Sequence, residues 1–365
     1  MLEFGKKIKA TWNILHPDYK GLPFEAEFVT DDNNRFYLNS NCDALSNPEL
    51  YNFLTSNTDR LFTAIGKTED NKIITLEDAF LGRNNYQPED WKFSLHANYA
   101  LLGEKQESTR NIQINKIIVI FDSEERGSLN KTIDNMDFEI KNKTTAISYK
   151  FSSSETFENA MDEIINIQYL YSFLLGKMLP IKSVLIENEN NEKYSALIQF
   201  TKINQRNMKI TPIMEITPEK FVELYSKWKN TLLIDTFPID LYFTTLANSK
   251  NLYEQFYLDY LIRSFEGMHK IKHLEKITLR NRFKSLFSET EIINFVEKTF
   301  NQNEPVLDRL IDFRNLYAHC KHSANEKKIP EGEYYKYSIL LFNIIRVFIA
   351  KELLNIRKTI PMEEI

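Results

Sequence analysis

Residues 312–322 read Asp-Phe-Arg-Asn-Leu-Tyr-Ala-His-Cys-Lys-His. Two of these side chains have the chemistry of phosphoryl transfer. The imidazole of His319 titrates close to neutral pH, so it can move a proton on or off a ribose oxygen. The guanidinium of Arg314 stays charged and offers forked donors to the non-bridging oxygens of a phosphate, where negative charge grows in the transition state. Asn315, one turn before His319, can orient the imidazole or bind phosphate. With the 2′-OH as nucleophile, such a site would cut RNA to a 2′,3′-cyclic phosphate and a 5′-OH, and would spare DNA, which lacks that hydroxyl.

The competing reading takes Arg314 and His319 as ordinary positions of a helix. Metal chemistry has less support. His319, Cys320 and His322 lie close together, but their spacing matches no ordinary zinc pattern and a second ligand pair is missing. His269 and His273 stand at i and i+4 without the Glu of a His-Glu-x-x-His motif. No metal and no cofactor is therefore expected.

A helix over 304–320 must position these groups. Unrolled at ~100° per residue, Val306, Leu310, Phe313 and Tyr317 form an apolar stripe, and Asp308, Asp312, Asn315 and His319 a polar one on the opposite side. Arg314 lies ~140° from His319, so the two do not converge by sharing a face. Either the arginine swings across the helix end or two copies of the helix meet across a two-fold axis, each site drawing on both chains. A two-fold interface is self-complementary and brings in the same stripe from both sides, so a homodimer is expected.

Any polyanion must find a local patch, because the net charge of the 365 residues is −5. The segment 269–284 holds six Lys or Arg against Glu275. Within it Lys270, Lys272, Arg280 and Arg282, with Lys321 and His322 after the motif, are the candidate RNA contacts. The plain alternative for this segment is a solvated face.

The rest of the chain divides by pattern. Residues 1–212 read as an antiparallel β-sandwich-like domain. Phe24–Phe28 and Arg35–Asn39 form a hairpin around Asp31-Asp-Asn-Asn34, and Trp91, Phe93, Leu95, Ala97, Tyr99 and Leu101 alternate as one strand. Ile117–Phe121 reads as a strand covered on both faces, and Phe138–Ile140 with Ile147–Phe151 as a second hairpin. His96, the histidine within this β pattern, receives no function. A helix over about 155–176 is inserted, with Ser152 and Glu155 as its capping box. Strands return at 183–187 and 194–201 around Asn190-Asn191. Residues 213–365 are helical, starting from Thr217 as cap and Pro218 as first helical residue, with helices near 218–229, 238–247, 250–275, 279–287, 289–300, 304–320 and 331–357. Ser288 and Glu291 suggest another capping box. The fold class is thus α+β.

Composition agrees with two domains. The chain is 42% hydrophobic and 13% aromatic, ample for real cores, and its two cysteines, Cys42 and Cys320, exclude a disulfide framework. The first residues lack the apolar stretch of a signal peptide, and 339–354 is interrupted by Asn343, Arg346 and Lys351, so a cytoplasmic location without a membrane segment is expected.

Arg-Asn-Leu-Tyr-Ala-His resembles the Arg-x-x-x-x-His motif of HEPN ribonucleases. Tyr260–Lys270 resembles the first long helix of the ApeA-like HEPN branch, with Glu266 and His269 at the positions of its Glu and His. Lys9–Asn13, Pro17–Asn39, Ile74–Asp78 and Ala97–Gly103 resemble the β-rich domain preceding that HEPN, although several of its glycines are missing here. The resemblance implies a metal-independent antiphage ribonuclease of the abortive-infection type, acting as a HEPN dimer on RNA, with tRNA one candidate substrate. Arg314 and His319 would be catalytic, Asn315 supporting, and Glu266 a buttress for the arginine from a neighbouring helix. The β domain would sense a phage-derived trigger or restrain the nuclease. The alternatives are a non-catalytic HEPN module that binds RNA or protein, and a ligand-binding β domain with the helices as dimeriser.

Overall fold

The computed structural model describes residues 7–30, 36–42, 47–56, 60–85, 91–105, 109–122, 128–141, 143–198, 203, 205, 211–232, 236–273, 277–301, 304–319, 328–330 and 332–363. The chain is α+β and forms two compact units, one of Met1–Ile165 with Pro180–Lys202, the other of Asn166–Leu179 with Ile203–Ile365.

The first unit is a closed barrel that opens into a longer sheet. Its strands are β1 (Lys7–Leu15), β2 (Phe24–Thr30), β3 (Phe36–Cys42), β4 (Phe62–Thr68), β5 (Ile73–Asn85) and β6 (Trp91–His96), then β7 (Tyr99–Gly103), β8 (Ile114–Asp122), β9 (Ser128–Ile133), β10 (Met136–Lys141), β11 (Thr144–Glu155), β12 (Ile181–Asn188) and β13 (Lys193–Ile198). The order β4-β1-β2-β3-β6-β5 closes on itself through β4–β5, and β7-β13-β12-β8-β11-β10-β9 continues from β5. Closure leaves no free edge on those six strands, so the expected sandwich-like antiparallel domain takes the form of a barrel with an extended sheet.

Strand β5 makes the junction possible. Ile73–Glu77 pairs with β7, while Phe80–Asn85 pairs with β6. Between the halves Asp78 has φ 51°, a left-handed conformation that an Asp tolerates better than most residues. The single strand expected over 91–101 is accordingly two: the chain leaves the barrel after β6, and Asn98 donates its amide to the carbonyl of Glu77 before β7 begins. Trp12, Phe28, Phe36, Leu38, Trp91 and Leu95 fill the barrel together with Leu50, Phe53 and Leu54 of helix α1 (Pro48–Ser56). The 24–39 and 136–155 hairpins have the expected partners, and β8 lies between β11 and β12 with Ile117, Val119 and Phe121 fully buried and Ile118 and Ile120 half-buried.

Helix α2 (Phe157–Leu175) is capped by Thr156, whose hydroxyl accepts from Asn159; Ser152 and Glu155 belong to β11 instead of forming a capping box. Gly176, at φ 78°, ends it, and Lys177 donates to the Ser172 carbonyl. From Asn166 onward this helix belongs with the second unit, where Tyr169 stacks on Phe243 and Phe173 on Trp228. Part of the inserted helix thus completes the helical core.

That unit also contains α3 (Pro218–Leu232), α4 (Phe237–Ala247), α5 (Glu254–His273), α6 (Leu279–Leu286), α7 (Thr290–Thr299), α8 (Val306–His319) and α9 (Tyr334–Phe348), which runs on as a π turn at Ile349–Leu353. Helix α9 is its axis: Ile339–Phe348 are all buried. Asn343 holds the tail by exchanging two hydrogen bonds with the backbone of Glu363. The expected box at Ser288 and Glu291 is replaced: Glu289 occupies the cap position, and Glu291 accepts from Lys351 and from the Ile360 amide.

Candidate active site

Helix α8 begins after Pro305 and buries Val306, Leu310, Ile311 and Phe313. Its first turns are anchored by ions: Arg309 pairs with Glu304 and bonds the Tyr337 hydroxyl, while Asp308 pairs with Arg280 of α6 at 2.7 Å. Helix α5 packs beside α8 because apolar residues at helical spacing, among them Tyr257, Leu258, Leu261, Ile262, Phe265 and Met268, face the core. Its polar face is left for α8.

Across that face Arg314 donates from Nε to Oε2 of Glu266 at 3.0 Å. Both side chains are partly buried, at 25% and 19% exposure, so the pair is shielded from solvent more than a surface ion pair. Asn315 is exposed. His319 is the last residue of α8; its backbone is helical, and its side chain lies outside the described residues. Lys321 and His322 lie outside them as well.

The basic residues after α5 separate into two kinds. Lys270 and Lys272 are exposed at the end of α5. Arg280 is half-exposed and bound to Asp308. Arg282, a candidate RNA contact, turns inward instead: Nε donates to the Ile277 carbonyl and Nη1 to the Glu266 carbonyl. A guanidinium engaged with two carbonyls ties α6 to α5 and is poorly placed to track phosphates.

His269 is also structural. It is 4% exposed, stacks on Phe348 with centroids 5.6 Å apart, and contacts His273 at 4.2 Å. Burial, then the neighbouring His273 and Arg282, push its pKa down to about 4, so the ring is neutral at neutral pH. No group of three or more His, Cys, Asp or Glu that could hold a metal occurs among the described residues.

Sequence reasoning missed Asp259 and Arg263. Asp259 is 4% exposed and accepts from Arg263 at 2.8 Å. Burial raises its carboxyl pKa, while the charges of Arg263 and then Arg314 pull the other way. The signal was present: Asp259 and Glu266 are separated by seven residues, which puts both carboxylates on one face of a helix, with Arg263 between them.

Residues 240–354, from within α4 to the end of the π turn, match the family model of the Apea-like HEPN. The C-terminal region is an Apea-like HEPN domain. HEPN domains are a family of ribonuclease-like domains, and in this one the family match spans the helices carrying Glu266, Arg314 and His319. The match does not extend to the β unit. No curated protein matches the chain, and no solved structure does. No helix among the described residues is long and apolar enough to cross a membrane.

Proposed function

We propose that the HEPN domain is a metal-independent endoribonuclease. The observation that carries this reading is the pairing of Arg314 with Glu266 on the helix that ends at His319. A carboxylate holding the guanidinium through Nε fixes the plane of the donor fork before substrate arrives, and such preorganisation lowers the barrier for a charge-developing step. In the proposed reaction His319 removes the proton of the ribose 2′-OH or returns one to the leaving 5′ oxygen. The 2′ oxygen attacks phosphorus, the P–O5′ bond breaks, and a 2′,3′-cyclic phosphate remains. Arg314 carries the charge that grows on the non-bridging oxygens, Asn315 supports the imidazole or the phosphate, and Glu266 positions Arg314.

Because Arg314 and His319 lie ~140° apart on one helix, the proposal includes a homodimer in which each site takes its arginine from one chain and its histidine from the other. It also includes Lys270 and Lys272 as phosphate contacts, and a role in antiphage defence, with the β unit sensing a phage-derived trigger. The test is incubation of the purified chain with total cellular RNA in EDTA, with the cut ends mapped. Cleavage leaving cyclic phosphates, lost in folded Arg314→Ala and His319→Ala proteins, is the expected outcome. Full activity in a folded His319→Ala protein would overturn the assignment.

A further inference from the structure

Helix α5 carries more than Glu266. At ~100° per residue, Phe256, Asp259, Arg263, Glu266 and Lys270 fall within one ~80° arc, so the face that meets Arg314 continues toward the start of the helix. There the residues in the core, Tyr257 and Leu258, are fully buried, whereas Tyr253 and Phe256 are 79% and 47% exposed. These two rings form an edge-on pair, with centroids 6.3 Å apart and planes at 64°.

The direction of α8 relates this pair to the proposed site. Arg314 reaches Glu266, while Asp308, earlier in α8, pairs with Arg280 at the start of α6, just beyond the C-terminal end of α5. The helices therefore run antiparallel, and the C-terminal end of α8 is directed toward the first turns of α5. Phe256 lies ~15 Å along the helix axis from Glu266, within the span of a short piece of single strand.

We infer that Tyr253 and Phe256 are a stacking subsite for an unpaired base of the RNA whose phosphate Arg314 holds. The inference rests on the ribonuclease reading and adds to it a subsite outside the Arg314 and His319 pair that holds a base. Unpaired bases are recognised by stacking on aromatic side chains, an interaction that tolerates sequence because every base has a π face. A second copy of the chain fits the pair less well. The core of a protein interface needs a contiguous apolar patch, and here the neighbours are the exposed Gln255 and the Asp259–Arg263 ion pair. The other exposed large apolar residues of the helical unit, among those described, are Phe237 and Ile293. Phe237 belongs to the opposite end of α5, because the adjacent Pro238 packs against Gly267.

The test uses the full chain carrying His319→Ala to prevent turnover, with binding of a labelled single-stranded RNA followed by anisotropy. Tyr253→Ala with Phe256→Ala should weaken binding roughly tenfold or more, as expected for a lost base stack, with the salt dependence unchanged because no phosphate contact is removed. Tyr253→Leu with Phe256→Leu should weaken it as well, since leucine keeps the apolar surface and loses the π face. An RNA of abasic nucleotides should bind both variants and the parent alike. Unchanged affinity in the ring variants, while the chain with His319 intact still cleaves RNA, would overturn the subsite and leave the nuclease standing. A loss of self-association in the alanine variant that leucine restores would assign the face to a second copy and overturn the subsite too. If the chain with His319 intact does not cleave RNA and the parent does not bind it, the ribonuclease reading falls and the subsite with it.

Discussion

The barrel and the HEPN domain differ in how much charge they bury. The barrel interior is built from Trp12, Phe28, Phe36, Trp91 and their apolar neighbours. Glu77, a buried carboxylate of the β unit, is answered by the Thr63 hydroxyl and the Thr109 amide, both neutral groups. The helical unit instead buries Asp259, His269, Glu291 and Arg346, and several of these join elements distant in sequence. Glu291 meets Lys351 and Ile360, and Arg346 reaches the Thr211 carbonyl. A closed sheet satisfies its backbone through strand pairing and can leave its interior to apolar packing. A helical bundle satisfies its backbone within each helix, so polar side chains are available to fix helices against one another, and a site made of such side chains inherits that rigidity.

The largest expected effect dissociates the two regions. Arg314→Ala should reduce RNA cleavage by about 10³-fold or more, the scale of losing a transition-state donor, with little change in thermal stability. Phe28→Ala should do the reverse, costing about 3–5 kcal/mol of stability of the β unit by denaturant titration while cleavage per folded molecule is kept. A barrel variant that lost cleavage while still folded would show that the β unit controls the site.

The next effect is in pH. The pKa of His269 is depressed in the folded state to about 4, against an ordinary value near 6.5. Between those values the unfolded chain takes up a proton that the folded chain refuses, so stability is full above pH ~6.5 and falls as pH drops toward ~4, by on the order of 3 kcal/mol. His269→Phe should flatten that part of the stability curve in urea titrations from pH 7 to 4. An unaltered acid limb would remove His269 from the set of buried titrating groups.

Glu266→Gln keeps the shape of the side chain and removes the charge that holds Arg314. The rate should fall by up to about 100-fold, the effect of a misplaced catalytic group, and Glu266→Asp should recover less than the full rate because the shorter arm retreats from Nε. Stability should change little. Wild-type rates in Glu266→Gln would show that Arg314 is oriented by other partners.

The smallest effect concerns Lys270 and Lys272. Replacing both with Gln should lower the slope of log affinity against log salt by about 1.4 on single-stranded RNA if each meets a phosphate. The inward-turned Arg282 gives the contrast: Arg282→Gln should act on stability by freeing the Glu266 and Ile277 carbonyls, and should leave the salt slope where it was.

The sequence by itself determined what depends on local periodicity and residue chemistry. Apolar spacing at 3.6 marked α5, α8 and α9 to within a few residues, alternation marked the 24–39 and 136–155 hairpins, and the Arg314 to His319 spacing marked a segment that belongs to the matched HEPN domain. Tertiary structure alone decided what depends on which elements meet. No alternation pattern encodes barrel closure through β4–β5 or the change of partner of β5 from β7 to β6 around Asp78, which goes with the division of the expected strand over 91–101 into β6 and β7. Arg282 and Lys272 are both cations in one basic stretch, and only the packing of α6 on α5 turns the first toward carbonyls and leaves the second in solvent. The partners of Arg314 were likewise unreadable in detail, because Glu266 is 48 residues away and its 3.0 Å contact is set by how two helices pack. Periodicity fixes the face a side chain occupies; the neighbouring helix decides what that face touches.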